Sequence, residues 1–170
     1  MNVAFNHEPV RDLMNLGIRE DVFPGAVLLV GLGDRPVFFE AYGTANLFTR
    51  EPMVPDTIHD LASLTKPLAT TLAVARLVDR GCIALDQPVG DRLTALSGSD
   101  KAAITTRQLL SHRSGLPAHD LIYTKLKSVA LRDRKPAVLG VLKRIPLACR
   151  TGEKTLYSDL GFMLLCRLIE

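Results

Sequence analysis

The sequence predicts an α/β chain of the α+β type, an N-terminal helix and β-hairpin followed by a mostly helical region. Three observations carry this. Val10, Leu13, Met14 and Ile18 form one helical stripe, with Gly17 on the same face. Two short runs rich in β-formers, residues 26–32 and 37–42, flank the turn residues Gly33-Asp34-Arg35-Pro36. Leu64, Leu68, Leu72, Ala75 and Val78 then step by threes and fours, the period of a helix. Residues 1–55 make the helix-and-hairpin part, and residues 56–170 the helical part.

The first helix spans residues 8–20 and is broken by Phe23-Pro24-Gly25. Residues 26–32 are a continuous apolar run and read as a strand buried on both faces. Residues 37–42 form the second strand, and Gly43 ends it. Residues 44–60 carry Pro52 and Pro55 and little periodicity, so they read as a long loop. A helix runs from Ser63 to Arg80, with Pro67 in its first turn and Gly81 as its stop. Asp86-Gln87-Pro88 opens a short helix, and Thr105 or Thr106 caps another over residues 107–112. Pro136 opens a helix over 137–144, stopped by Pro146. After a turn at 151–154 and an extended Thr155-Leu156-Tyr157, Ser158 or Asp159 caps a last helix. That helix is still in apolar rhythm at Glu170 with no stop signal, and one hairpin is too little sheet to cover a two-faced strand. The pattern is that of a chain truncated at its C-terminus, with later sheet strands missing.

Composition narrows the function classes. The 170 residues are 47% hydrophobic and 23% charged, the balance of a soluble globular protein. A net charge of +3 gives no reason to propose nucleic acid as a partner. The basic stretch from Lys125 to Lys135 is interrupted by Asp133 and apolar residues and reads as a solvated face. The first residues lack a signal-peptide pattern and no apolar run reaches membrane-spanning length, which points to the cytoplasm. Cys82, Cys149 and Cys166 are odd in number and widely spaced, and read as core thiols rather than disulfides. His7, His59 and His119 have no metal-ligand spacing, and no phosphate loop or dinucleotide fingerprint is present, so neither metal nor cofactor is expected.

The chemistry-bearing stretch is Ser63-Leu64-Thr65-Lys66. A hydroxyl and an amine three residues apart on a helix lie on one face, where the amine can take or relay the serine's proton. Taken alone, these residues read as a capping serine and a solvated lysine. The rest of the chain supplies the case.

Three stretches together resemble the serine β-lactamase and penicillin-binding family, in its class C-like branch of carboxypeptidases, aminopeptidases and esterases. They are the Ser-x-x-Lys at Ser63–Lys66, the segment Leu109-Leu110-Ser111-His112-Arg113-Ser114-Gly115-Leu116, and Tyr157-Ser158-Asp159 where the family has Tyr-x-Asn. Phe23-Pro-Gly-Ala-Val-Leu-Leu-Val and Tyr42-Gly43 are similar to the family's N-terminal hairpin. The resemblance spans nearly all of this chain but only about the first half of a complete member.

The resemblance implies a partial β-lactamase/transpeptidase-like fold and a serine hydrolase acting on a small-molecule ester, amide or peptide. Ser63 would form an acyl-enzyme, Lys66 would accept or relay its proton, and Tyr157 would be the second proton carrier. His112 is implied to be structural, and no Gly-x-Ser-x-Gly elbow supports a triad. Two departures stand out. Asp159 replaces asparagine as the substrate-binding residue; an anion near Lys66 would favour the ammonium and makes ester or peptide hydrolysis a better fit than β-lactam hydrolysis. The family's third motif, Lys-Thr-Gly or His-x-Gly on a late strand, is absent, and with it the second oxyanion-hole donor. Two other readings therefore stand beside the enzyme: a module that binds or is acylated without turnover, and an inactive fragment that self-associates through an exposed strand edge.

Overall fold

The computed structural model describes residues 6–170. Residues 1–5, which open the stretch read above as lacking a signal pattern, lie outside the described residues. The chain divides into two compact units, Met1–Asp60 and Leu61–Glu170.

In the first unit, helix α1 (Glu8–Arg19) carries Pro9 in its opening turn and ends on Arg19, which suits the helix dipole. Strands β1 (Gly25–Leu32) and β2 (Arg35–Asn46) pair antiparallel, with Gly25 opposite Gly43 and Leu29 opposite Phe39, and a bulge falls at Val30/Gly31. Alternation along β2 puts Phe38, Glu40 and Tyr42 on one face, and Phe38 and Tyr42 are buried. Three contacts dock α1 there. The His7 ring stacks on Phe38 with centroids 5.3 Å apart. Arg11 Nε lies 3.0 Å from both carboxylate oxygens of Glu40. Tyr42 donates its hydroxyl to Glu40 at 2.8 Å.

This unit departs from the sequence reading in two places. Gly43 does not end β2. Its φ of +69° and a backbone so close that a Cβ would sit 2.3 Å from the Pro24 carbonyl bend the strand, yet pairing continues to Asn46. Asn46 Oδ1 then accepts from the Phe48 and Thr49 amides, the chain reverses, and a two-residue strand β3 (Glu51–Pro52) pairs back on β2. The expected loop over 44–60 thus contains an edge strand too short to leave a periodic signal. The second correction concerns β1, which is not buried on both faces: Leu29 and Leu32 are 57% and 64% exposed. Among the described residues of this unit, helix α1 packs on β2 and no second layer covers the three-stranded sheet.

In the second unit the expected helix from Ser63 to Arg80 is helical throughout but changes type twice. A 3₁₀ turn (Ala62–Leu64) leads into a π-helical segment (Lys66–Thr71), and only then into helix α2 (Leu72–Asp79). Pro67 is the local cause, because it has no N–H to donate to the Ser63 carbonyl four residues back. Gly81, at φ +67°, closes the run.

Past Gly81 the predicted helix at 86–88 is instead a pair of 3₁₀ turns, Val89–Asp91 and Thr94–Leu96, because Pro88 is held in an antiparallel bridge with Thr105. Helix α3 (Thr106–Leu110) opens with a reciprocal cap: Thr105 Oγ1 accepts from the Gln108 amide, and the Gln108 side chain accepts from the Thr105 amide. Helix α4 (Ile122–Lys125) follows, one turn that the sequence did not signal. Helix α5 (Leu131–Arg144) begins six residues before the predicted start, with Pro136 inside it. The early turn survives because Arg134 Nε donates to the Val129 carbonyl at 3.0 Å, and Pro136 lies near enough the start to remove a single helical bond.

Helix α6 (Asp159–Ile169) is the centre of this unit. Ser158 caps it by accepting from the Gly161 amide, and Leu160, Phe162, Leu164 and Leu165 are buried. They pack with Val74 of α2, Leu109 of α3 and Leu139 and Leu142 of α5. Each such leucine is worth about 1.5–3 kcal/mol of burial. The cysteines are all free but are not core thiols: Cys82 and Cys166 are exposed and Cys149 is half-buried. Cys82 falls in the turn after Gly81, and Cys166 lies about 100° round the helix from Leu165. The basic stretch is solvated and partly paired, Lys125 with Asp120 and Lys135 with Glu170. Among the described residues no helix is long and apolar enough to cross a membrane.

Candidate active site

The site lies wholly in the second unit, where two segments far apart in sequence meet. The first is the 3₁₀ turn. Lys66 opens the π-helical segment one turn after Ser63, on the same face of the helical run, so the Lys66 ammonium reaches the Ser63 hydroxyl, with Nζ 3.2 Å from Oγ. Ala62, just upstream, adopts a left-handed φ of +43°, a conformation that costs a non-glycine residue about 1–3 kcal/mol and clusters at functional sites.

The second segment, Leu156-Tyr157-Ser158, is held extended by a ring of bonds to the chain around His112. The Leu156 amide donates to the His112 carbonyl at 2.8 Å, and the Ser158 amide donates to His112 Nδ1 at 3.1 Å. Ser158 Oγ donates to the Pro117 carbonyl at 2.6 Å, and the Asp159 amide donates to the Ala118 carbonyl at 2.8 Å. The His112 ring packs on Tyr157 with centroids 4.5 Å apart, and on Phe162 at 5.1 Å. Held in this way, the Tyr157 hydroxyl donates to Ser63 Oγ at 2.8 Å across 94 residues of sequence.

Asp159, the first residue of α6, puts Oδ1 2.7 Å from Lys66 Nζ. Lys66 also lies 4.9 Å from the centre of the Tyr157 ring and 5.7 Å from that of Phe162, within reach of cation–π attraction. The structure therefore brings Ser63, Lys66, Tyr157 and Asp159 together. Ser63, Lys66 and Tyr157 open on a cavity of about 530 Å³ walled by Leu61, Leu64, Pro67, Leu110 and Phe162. Asp159 is outside that lining and lies against the lysine.

The electrostatics follow from this packing. Partial burial opposes the charge on Lys66, but hydrogen bonds from the ammonium to Asp159 and Tyr157 outweigh it and raise the lysine above its ordinary value. The hydrogen bonds from Lys66 and Ser63 lower Tyr157 below the usual phenol value. Burial, then the nearby Lys66 charge, lower His112, which keeps Nδ1 free to accept the Ser158 amide. Among the described residues no group of three or more His, Cys, Asp and Glu side chains is placed to hold a metal ion.

Sequence reasoning assigned His112 a structural part without saying what it holds. Its signal was the left-handed corner at φ +55° that precedes Gly115, itself at φ +79° with the Cys149 carbonyl 2.4 Å from where a Cβ would stand. Phe162, which closes the cavity floor, stood in the sequence as one more apolar residue of α6.

A helical unit in which a serine, a lysine and a tyrosine converge, in a chain that also carries a unit with an antiparallel hairpin, has the elements of the β-lactamase and penicillin-binding fold. The octameric penicillin-binding protein homologue from Pyrococcus abyssi superposes with a TM-score of 0.80 at 22% identity, over 98% of this chain and 39% of that one. The Beta-lactamase family model matches residues 10–170, and the chain belongs to this family. The N-acetylmuramyl-L-alanine amidase of Bacillus subtilis (strain 168) is 35% identical over 164 residues, which cover 87% of this chain and 37% of that protein. Esterase EstB of Burkholderia gladioli is 40% identical over 103 residues, covering 58% and 26% respectively. The chain thus spans well under half the length of the relatives it matches.

Proposed function

We propose that this chain carries the nucleophilic half of a serine hydrolase that cleaves esters or amides through an acyl-serine. The observation that carries the reading is the convergence of Lys66 and Tyr157 on Ser63 Oγ, at 3.2 and 2.8 Å. A serine hydroxyl is a weak nucleophile until a neighbour takes its proton. The raised lysine and lowered tyrosine divide that work: Lys66 stays an ammonium, and Tyr157, in its phenolate form, accepts the Ser63 proton and becomes a phenol. The Ser63 Oγ–carbonyl bond then forms, the bond to the alcohol or amine breaks, and Tyr157 returns the proton to the leaving group. Water attacks the acyl carbonyl by the same route in reverse, releasing the acid and restoring Ser63. The Ser63 amide, at the start of its turn, is one donor for the developing oxyanion. The apolar walls of the cavity suit an acyl group with aliphatic or aromatic character. The amidase and esterase among the relatives agree with amide or ester chemistry.

The test is covalent labelling of the purified chain by a fluorophosphonate, located by mass spectrometry. The expected adduct is on Ser63 and disappears in Ser63→Ala. An adduct that persists in that variant, or none in the wild type, rejects the assignment. The same experiment run with a chromogenic ester separates turnover from the non-turnover module: one equivalent of product per chain, followed by arrest, supports the module.

A second reading, self-association, has its own observation. Among the described residues strand β1 pairs with β2 alone; it carries no charged residue or proline, and exposes Leu29 and Leu32. Such an edge lacks the usual guards against strand addition. Here the partner is a second copy of this chain. Sizing should show a concentration-dependent dimer that Leu29→Lys returns to monomer; a monomer at every concentration rejects it.

A further inference from the structure

We propose that Asp159 makes this site select against substrates with an anionic group beside the scissile bond, favouring neutral or cationic esters and amides. The inference rests on the acyl-serine reading above and adds a substrate class to it. It starts from what Lys66, the one lysine or arginine among the described residues lining the cavity, has left to offer. An ammonium has three donors. Two of those of Lys66 are taken, by Asp159 Oδ1 at 2.7 Å and Ser63 Oγ at 3.2 Å, and Nζ lies 4.9 Å from the centre of the Tyr157 ring. A substrate carboxylate would have to compete with Asp159 for this cation.

Exposure sets the sign of the field that the substrate meets. The Lys66 side chain is 15% exposed and that of Asp159 46%. The positive charge is drawn in among Tyr157 and Phe162, while the negative charge faces water. The described residues lining the cavity include no arginine and no second lysine, and their one imidazole, His112, is held toward its neutral form. An anion entering the cleft therefore approaches a carboxylate one ammonium away from Ser63 Oγ, with no other lysine or arginine among the described lining residues. A neutral acyl group meets leucine, proline and phenylalanine, and a cationic one gains from Asp159. Asparagine at this position would remove the repulsion and supply an amide donor, so Asp159 is a specificity-determining residue here.

The test uses three p-nitrophenyl esters with the full chain: neutral p-nitrophenyl butyrate, anionic mono-p-nitrophenyl succinate, and the cationic p-nitrophenyl ester of 4-(trimethylammonio)butyrate. The p-nitrophenolate burst gives the acylation rate, normalised to each ester's hydroxide reaction. In the wild type the neutral and cationic esters should exceed the anionic one by about tenfold, and 0.5 M salt should narrow the gap. Asp159→Asn should raise the anionic ester's relative rate by about tenfold and lower the cationic one's. Equal normalised rates in the wild type, or ratios unmoved by both salt and Asp159→Asn, overturn the inference and leave the hydrolase reading standing. Should no ester acylate Ser63, the two fall together. The wild-type ratios and their salt dependence decide the matter even if the variant fails to fold.

Discussion

The Nδ1 atom of His112 accepts the backbone amide of Ser158 at 3.1 Å, and so ties the loop after α3 to the segment that delivers Tyr157. The bond needs the imidazole neutral and aimed. Removal of the ring in His112→Ala should therefore slow fluorophosphonate labelling of Ser63 by about 10²-fold, the effect of a displacement of roughly 1 Å at a reacting group. Circular dichroism should show the helices intact. Labelling at the wild-type rate would mean that Tyr157 is positioned without His112.

The same histidine fixes the acid side of the pH profile. Its folded value lies below the ordinary 6.5, so the neutral form is favoured by folding. Its contribution is present above 6.5 and is lost as pH falls through the lower folded value. Labelling should hold through pH 6.5 and fall only at lower pH, as the histidine passes its lowered folded value.

The alkaline side belongs to Lys66 and Tyr157 as a coupled pair. Tyr157 is lowered and Lys66 raised, and Asp159 pushes both groups upward. The labelling rate should rise with a midpoint below the free phenol value of about 10. Asp159→Asn should move that midpoint to lower pH. A midpoint that stays in place would show that the carboxylate does not govern the pair.

In the first unit, the Arg11 hydrogen bond, then that of Tyr42, bring Glu40 down to about 2, while burial and then Glu40 push Tyr42 up to about 12. The lowered acid stabilises the fold above its ordinary 4.5 and loses that effect as pH falls toward 2. The melting-temperature gap between wild type and Glu40→Gln should hold steady at neutral pH and close as pH approaches 2. A gap that persists in acid would place the stabilisation in packing instead.

Lys101 is buried with a single side-chain partner, Asp100, at 2.5 Å, and Asp100 is itself half exposed. A buried charge with one bond recovers little of its desolvation. Lys101→Met keeps the length of the side chain and leaves an exposed aspartate behind. It should be neutral or stabilising by about 1 kcal/mol in urea unfolding, whereas Leu164→Ala in the core of α6 should cost about 2–5 kcal/mol. A large loss in Lys101→Met would show that the pair holds the loop together.

Local chemistry was the legible part of this chain. Thr105 with Gln108, and Ser158 ahead of an apolar run, announce their helices because a cap needs only residues a few positions apart. The convergence of Ser63 with Tyr157 could be anticipated only from the resemblance, since no local signal connects residues 94 apart. Where the reading departed, another scale had intervened. Residues 26–32 have the composition of a doubly covered strand, but coverage depends on layers that β1 cannot specify. Pro136 marks a helix start by local rule, but a side chain, Arg134, holds one more turn ahead of it. Cys82 and Cys166 sit in apolar stretches, and the angle round the helix or a turn decides which way they face.

The π-helical segment Lys66–Thr71 acts as one residue inserted into an otherwise regular helix. Deleting a residue between Pro67 and Thr71 would give the backbone its ordinary hydrogen-bond ladder and at the same time swing Ser63 and Lys66 together by about 100° relative to Val74 in the core. Regularity and reactivity are thus opposed at this point of the chain. Variants selected for heat resistance alone would tend to iron out the bulge and carry the hydroxyl–amine pair as a unit away from the Tyr157 hydroxyl.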